Sequence, residues 1–182
     1  MDKQKPPTWT QVKAKLSSVD KNELLDIIHD LYKLNQDNKV FLTSQFVADN
    51  TEALTEPYRR AIRREFNPDR GFPRLNLRSA RKALNDFKKA NADPKAQLEM
   101  MIYYVEQGVV CTRQYGDIDA PFYSSLEGVF EDAITLLHRL GNPEALIVEF
   151  YPRLERIVKD TRGMGWGFHD FLAEVFYQEY PQ

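Results

Sequence analysis

Apolar residues recur every three or four positions along nearly the whole chain, and this helical period is the feature that most constrains the fold. One such stripe runs from Leu24 to Leu34, behind Asp20 as a predicted N-cap. The alternation of apolar and polar residues that is typical of half-buried strands is nearly absent. The pattern therefore predicts an all-α fold of eight or nine helices.

Proline and glycine residues interrupt the stripes at short intervals. Residues 67–75, "NPDRGFPRL", are predicted to be a connecting loop, Asp93-Pro94 to open a helix, and Gly141 to end one in a left-handed conformation. Because short connections favour antiparallel neighbours, we expect an irregular multi-helix bundle of antiparallel helical pairs. A short stack of helical repeats stays open as a variant of this fold, although no repeat period is readable.

Length and composition indicate an ordinary globular chain. With 182 residues, 42% of them hydrophobic and 29% charged, we expect a single domain over 1–182 with a flexible tail at 1–7. The sequence has neither the apolar run of roughly 18 to 20 residues that crosses a bilayer nor the apolar core of a secretory signal. Its one cysteine, Cys111, cannot form an internal disulfide. We therefore expect a cytoplasmic protein without membrane contact.

The charge is nearly balanced overall at −2 but is unevenly distributed. Residues 59–89, called here the basic segment, hold eleven Lys or Arg against three acids, a net of +8, whereas the remainder carries −10. One interpretation is a cationic surface for nucleic acid, with Phe66 and Phe72 interleaved for base stacking. The other is a face neutralised by the chain's own carboxylates, and the sequence pI of about 6.0 favours it.

Three glycines alternate in "GMGWG", residues 163–167. A dinucleotide-binding or P-loop motif needs a preceding strand or a Lys-Ser/Thr pair, and neither is present. We therefore interpret the stretch as a tight corner between two helices in which Trp166 fills the gap. The alternative is an anion site at the helix start, assisted by His169.

This stretch also carries a resemblance. "GWGFHDFLAEVF", "MMIYYVEQGVVCTRQYGDIDAPFYSSLEGVFEDAI" and "LSSVDKNELLDIIHDLYKLNQDNKVFL" resemble an uncharacterised family of small bacterial helical proteins, carried as a domain of unknown function. The likeness runs along most of the chain. It implies a bacterial, cytoplasmic, all-α protein and transfers no reaction and no catalytic residues.

An acidic cluster, residues 117–132, holds Asp117, Asp119, Glu127, Glu131 and Asp132. With His138 or His169, paired carboxylates of this kind could serve a metal-dependent hydrolase. No HExxH motif and no pair of Glu-x-x-His motifs accompanies them. We therefore favour the view that the cluster is the negative counterpart of the basic segment, within one molecule or between protomers.

The sequence does not disclose a function, and it predicts no catalytic residue, cofactor or metal ligand. We expect a non-catalytic binding or scaffolding module with a protein partner or self-association as its mode, helped by aromatic residues near the turns and the carboxyl end if these are exposed. Nucleic-acid binding by the basic segment and metal-dependent hydrolysis by the acidic cluster are the two alternatives. The candidate binding surface is Arg59, Arg60, Arg63, Arg64, Arg78, Arg81, Lys82, Trp166 and His169.

Overall fold

The structure is a computed structural model and describes residues 6–47, 52–140 and 143–180. Helices joined by short connections make up most of these ranges. The helices within these ranges are α1 (Trp9–Leu16), α2 (Lys21–Leu34), α3 (Gln36–Phe46), α4 (Glu52–Phe66), α5 (Leu77–Ala90), α6 (Pro94–Tyr115), α7 (Ala120–Arg139), α8 (Pro143–Asp160) and α9 (Phe168–Glu179). No strand occurs in those ranges. The predicted all-α fold of packed helical pairs is confirmed.

Local sequence signals explain where several helices begin. Asp20 accepts the backbone N–H groups of Asn22 and Glu23 at 2.8 and 2.9 Å, as an N-cap side chain does. Asp93 caps α6 with Pro94 in the first turn, where a proline's missing N–H costs nothing. Residues 1–5 of the expected tail and Gly141, the expected helix end, lie outside the described residues.

Helix α6 is the centre of the core. It packs against α4, α5, α7 and α8, and its predicted apolar face is buried. Phe66 of α4 meets Tyr104 of α6 and Phe122 of α7 edge to face, with ring centroids 5.1 and 5.5 Å apart. A Cβ atom on Gly108 would lie 2.4 Å from the nearest side-chain carbon of Leu126, so α6 and α7 approach closely only because position 108 is glycine.

An ionic clamp ties α8 to α6 beside this core. Arg153 donates two hydrogen bonds to the Glu106 carboxylate, both 2.9 Å, and a third to Glu99 at 2.8 Å. Although partial burial opposes the charge, these two carboxylates raise the pKa of Arg153 above its usual value. Arg59 of α4 lies 3.8 Å from the same Glu99 oxygen. Three helices therefore share one network.

The N-terminal arm, α1 to α3 with Val47 (residues 9–47), packs differently from the rest. Helices α1 and α2 bury no side chain, and α3 buries only Val40. Helix α2 packs against α3, and α3 in turn packs against α5 and α4. We call α4 to α9 the body. No helix in the described ranges has the length and apolar character needed to span a membrane.

Candidate functional site

Apolar side chains are exposed mainly on the N-terminal arm. Within the described ranges, four large apolar residues outside the arm are exposed: Phe72, Val110, Val148 and Trp166. The arm itself exposes eleven: Trp9, Val12, Leu25, Ile27, Ile28, Leu31, Tyr32, Leu34, Phe41, Phe46 and Val47. A concentration of this kind is typical of an interaction surface rather than of scattered surface hydrophobics.

The face of α2 that the sequence period marks as a core stripe is exposed in the structure. Leu34 is 71% exposed and Ile28 42% exposed. Polar contacts fix this helix to α3: the Asn38 side-chain amide donates to the Leu31 carbonyl at 2.7 Å, and the Lys39 ammonium lies 5.9 Å from the Tyr32 ring centre. The periodicity predicted the helix, but it could not show whether a neighbour covers the apolar face.

A polar contact reinforces the attachment of the arm to the body. The Tyr58 hydroxyl of α4 donates a short hydrogen bond to the Asp37 carboxylate of α3. Burial, with the hydrogen bond to Asp37, raises the pKa of Tyr58 far above its usual value. Together with buried Val40, this contact holds α3 against the body.

The aromatic residues near the carboxyl end do not form the exposed patch that the sequence suggested. Phe122 and Tyr123 are buried, as are Phe168 and Phe176. The reason is that α9 packs against both α7 and α8, so its aromatic face becomes part of the core. Among the aromatic residues of α9 and the corner before it, only Trp166 is exposed in the described ranges.

The glycine-rich corner joins α8 to α9. Gly163 and Gly167 adopt φ of +81° and +71°, conformations that favour glycine. The Gly165 N–H donates to the Asp117 carboxylate at 3.1 Å, and a Cβ at position 165 would lie 2.6 Å from the other oxygen of that group. The amide that an external anion would need therefore binds the protein's own carboxylate, which supports the structural interpretation over the anion site.

Two candidate residues, Trp166 and His169, lie at this corner. Trp166 is 63% exposed and has a φ of +62°, so the expectation that it fills the gap between the helices is wrong. The left-handed backbone turns its ring outward, and Met164 packs against the core instead. His169 Nδ1 lies 3.0 Å from the Thr161 hydroxyl and 3.1 Å from the Val158 carbonyl, so it bonds to the last turn of α8.

The basic segment does not form one surface. Arg59 lies 5.3 Å from the Tyr103 ring centre and pairs with Glu99, between α4 and α6. Arg81 reaches α7, where its guanidinium comes within 3.8 Å of a Cβ built on Gly128. Lys82 is bonded to Asp86 one turn along its own helix, and Arg78 is exposed. These four side chains therefore have different neighbours.

Three of the candidate arginines, with two more from the connecting loop, meet in a cleft of about 460 Å³ at the end of α4. We call it the cationic cleft. Phe72 and Asp69 lie in its wall together with Pro68. The arginines are Arg60, Arg63, Arg64, Arg70 and Arg74.

The acidic cluster is not the counterpart of the basic segment within one chain. In the described ranges, the ion pairs of the basic segment are made with Glu56, Glu65, Asp69, Asp86 and Glu99. Asp119 instead caps α7 through the Phe122 N–H at 2.9 Å. The Tyr123 hydroxyl, at 2.7 Å, and the Gly165 N–H lower the pKa of Asp117. These carboxylates serve the turns in which they lie.

The geometry gives no support to the metal-hydrolase alternative. Across the described residues, no three or more His, Cys, Asp or Glu side chains come together as a metal-binding group. His138 lies 3.3 Å from Glu179 and stacks on Tyr180. Burial raises the pKa of the Cys111 thiol to about 11, which disfavours a nucleophilic thiolate.

One comparison with known proteins identifies a family. The model of a family of unknown function, DUF6155, matches residues 8–177. The chain belongs to this family. The match covers the N-terminal arm as well as the body. No curated protein and no solved structure matches the chain.

Proposed function

We propose that this member of the family is a non-catalytic interaction module that self-associates through its N-terminal arm. The observation that carries the proposal is the uncovered apolar face of α2. A 14-residue helix is marginal in water by itself, and most of the stability of an amphipathic helix comes from covering its apolar face. A second polypeptide on this face would supply the burial that the body does not.

The charges of α1 and α2 favour a second copy of the same chain as the partner. Helix α1 carries Lys13 and Lys15 beside its apolar side and no acid. Helix α2 carries Glu23 and Asp30 at one edge of its apolar face, and within the described part of the chain neither forms an ion pair. A two-fold arrangement that lays α1 of one copy along α2 of the other forms each complementary contact twice.

The cytoplasm is the proposed location of this module. The support is chemical: the single cysteine, Cys111, is buried and free, so the fold uses no disulfide and is compatible with a reducing compartment.

Light scattering coupled to size-exclusion chromatography tests the proposal over a range of protein concentrations. The expected result is a dimer that becomes monomeric in the double variant Ile28→Asp/Leu31→Asp, because both side chains are exposed in the single chain and the fold does not need them. Val148→Asp, an exposed apolar position on α8, is the matched control and leaves the dimer unchanged. A wild-type chain that stays monomeric at every concentration contradicts self-association.

A charge exchange tests the pairing of α1 with α2. Lys13→Glu/Lys15→Glu should weaken dimerisation about ten-fold, since rim ion pairs contribute roughly 0.2 to 1 kcal/mol each. Adding Glu23→Lys/Asp30→Lys to that variant should restore the wild-type affinity. If the second pair of substitutions weakens the dimer further, the helices do not pair in this way.

A further inference from the structure

The cationic cleft has more positive charge than its surroundings neutralise. Arg60 and Arg63 share Glu56 at 3.8 and 3.4 Å, and Arg63 also lies 3.7 Å from Asp69. Arg64 lies 3.6 Å from Glu65. Against five arginines stand three carboxylates, which leaves an excess of two positive charges.

The two arginines of the connecting loop account for this excess. Arg70 and Arg74 are exposed, and neither pairs with a carboxylate in the described residues. Arginine side chains that line one cleft repel one another, so an added anion stabilises the cationic cleft. Guanidinium groups bind phosphate oxygens through paired N–H donors, which makes a phosphate the fitting anion.

Phe72 adds a second, independent feature to the cleft wall. Its side chain is 84% exposed, the highest value of any large apolar residue in the described ranges, so it contributes little to the core. Its ring centre lies 6.3 Å from that of Tyr115, which leaves most of its surface open. An exposed aromatic ring among guanidinium groups is typical of a platform on which a nucleobase stacks.

The loop that carries these groups is held in place before any ligand arrives. The Asn67 side-chain amide donates to the Gln107 carbonyl of α6 at 2.7 Å, and the Leu75 N–H donates to the Glu65 carbonyl at 3.0 Å. Between these anchors, Gly71 adopts φ of +82° at the turn before Phe72. A loop fixed at both ends loses little conformational freedom on binding.

We propose that the cationic cleft binds single-stranded nucleic acid, with backbone phosphates on Arg70 and Arg74 and a base stacked on Phe72. An acidic peptide would match the charge but has no planar group for the exposed ring. A duplex keeps its bases stacked inside and cannot offer one. The single strand is the ligand class that uses both features of the cleft.

Fluorescence anisotropy with a labelled single-stranded oligouridylate tests this proposal. If the two phosphates on Arg70 and Arg74 are neutralised, the slope of log affinity against log salt is about −1.4, so binding weakens about seven-fold between roughly 50 and 200 mM salt. Arg70→Ala/Arg74→Ala should lower the affinity about ten-fold and flatten the slope by about 1.4. The variants fold, because both side chains are exposed.

Phe72→Ala separates stacking from charge. It should weaken binding by between about five-fold and 150-fold and leave the salt slope unchanged. Arg78→Ala/Lys82→Ala, from the same basic segment but outside the cleft, is the matched control and should have little effect.

Three results would overturn the assignment. One is the absence of binding at about 50 mM salt, where the electrostatic contribution is large. Another is an equal loss of affinity in the control variant, which would indicate diffuse attraction to the whole segment. The third is displacement of the oligonucleotide by polyglutamate at equal charge concentration, which would assign the cleft to an acidic polypeptide.

Discussion

The N-terminal arm and the body have similar helical sequences but opposite patterns of burial. The stripe of α2 and the stripe of α6 both recur at the helical period, yet α2 buries no residue while α6 buries ten. The difference lies in the neighbours: α6 is enclosed by four helices, whereas α2 packs against α3. An amphipathic pattern thus predicts that one face of a helix is buried. It does not show whether that face is covered by the same chain or by a partner.

The largest expected effect comes from the same substitution made on both sides of this comparison. Phe66→Ala in the body removes a ring that is 0% exposed and should lower the free energy of unfolding by about 3 to 5 kcal/mol. Phe46→Ala in the arm removes a ring that is 81% exposed and should change it by less than about 0.5 kcal/mol in the monomer. Urea denaturation of both variants measures the difference, and equal losses would show that the arm is part of the cooperative core.

A pair of helical glycines measures how tightly the body is packed. Gly108→Ala places a methyl group against buried Leu126 and should cost about 1 to 3 kcal/mol, as overpacking does. Gly128→Ala meets only the Arg81 guanidinium at 3.8 Å and should stabilise α7 by about 0.5 to 1 kcal/mol. Thermal unfolding of the two variants should therefore shift in opposite directions. A shift in the same direction would mean that α6 and α7 separate easily.

The contact between the arm and the body can be weakened without changing the packing within either region. Tyr58→Phe removes the hydrogen bond to Asp37 and should release α3 by about 0.5 to 1.5 kcal/mol, a net value typical of one hydrogen bond. Hydrogen exchange in residues 36–46 should become about 2- to 10-fold faster. Exchange in α6 serves as the internal control and stays constant. Uniform acceleration in both helices would contradict a local tether.

The smallest expected effect is a pH dependence of the stability of the body. Because the Tyr123 hydroxyl and the Gly165 N–H lower the pKa of Asp117, its contribution to stability is present above the unfolded value of about 3.9 and is lost as the pH falls through the folded value. Asp117→Asn should therefore be less stable than wild type at neutral pH, and the gap should close below about pH 4. Denaturation at neutral pH and below about pH 4 measures the difference in stability between the variant and wild type. A difference that does not change with pH would mean that the ionised form of Asp117 does not stabilise the corner.

The sequence predicted the secondary structure well, because caps and prolines act locally. Asp20 and Asp93 bond to the backbone within their own turns, so their effect depends on neighbours two or three residues away. The path of α6 through the core also followed from its unbroken apolar face. These features need no knowledge of tertiary contacts.

Tertiary placement accounts for what the sequence could not predict. One of the two partners of Asp117 lies 48 positions away at Gly165, and Arg59 pairs with Glu99 on another helix. Trp166 was expected inside because large aromatic residues are usually buried, but its left-handed backbone turns it outward. Contacts between residues this far apart in the sequence leave no local pattern from which they could be predicted.

Glu99 of α6 contacts an arginine of α4 and an arginine of α8, so substitutions in these helices are coupled. Either arginine can still neutralise the Glu99 carboxylate when the other is lost, so the loss of each one costs more when the other is already absent. Substitutions at 59 and 153 are epistatic, and tolerance at one position depends on which residue occupies the other.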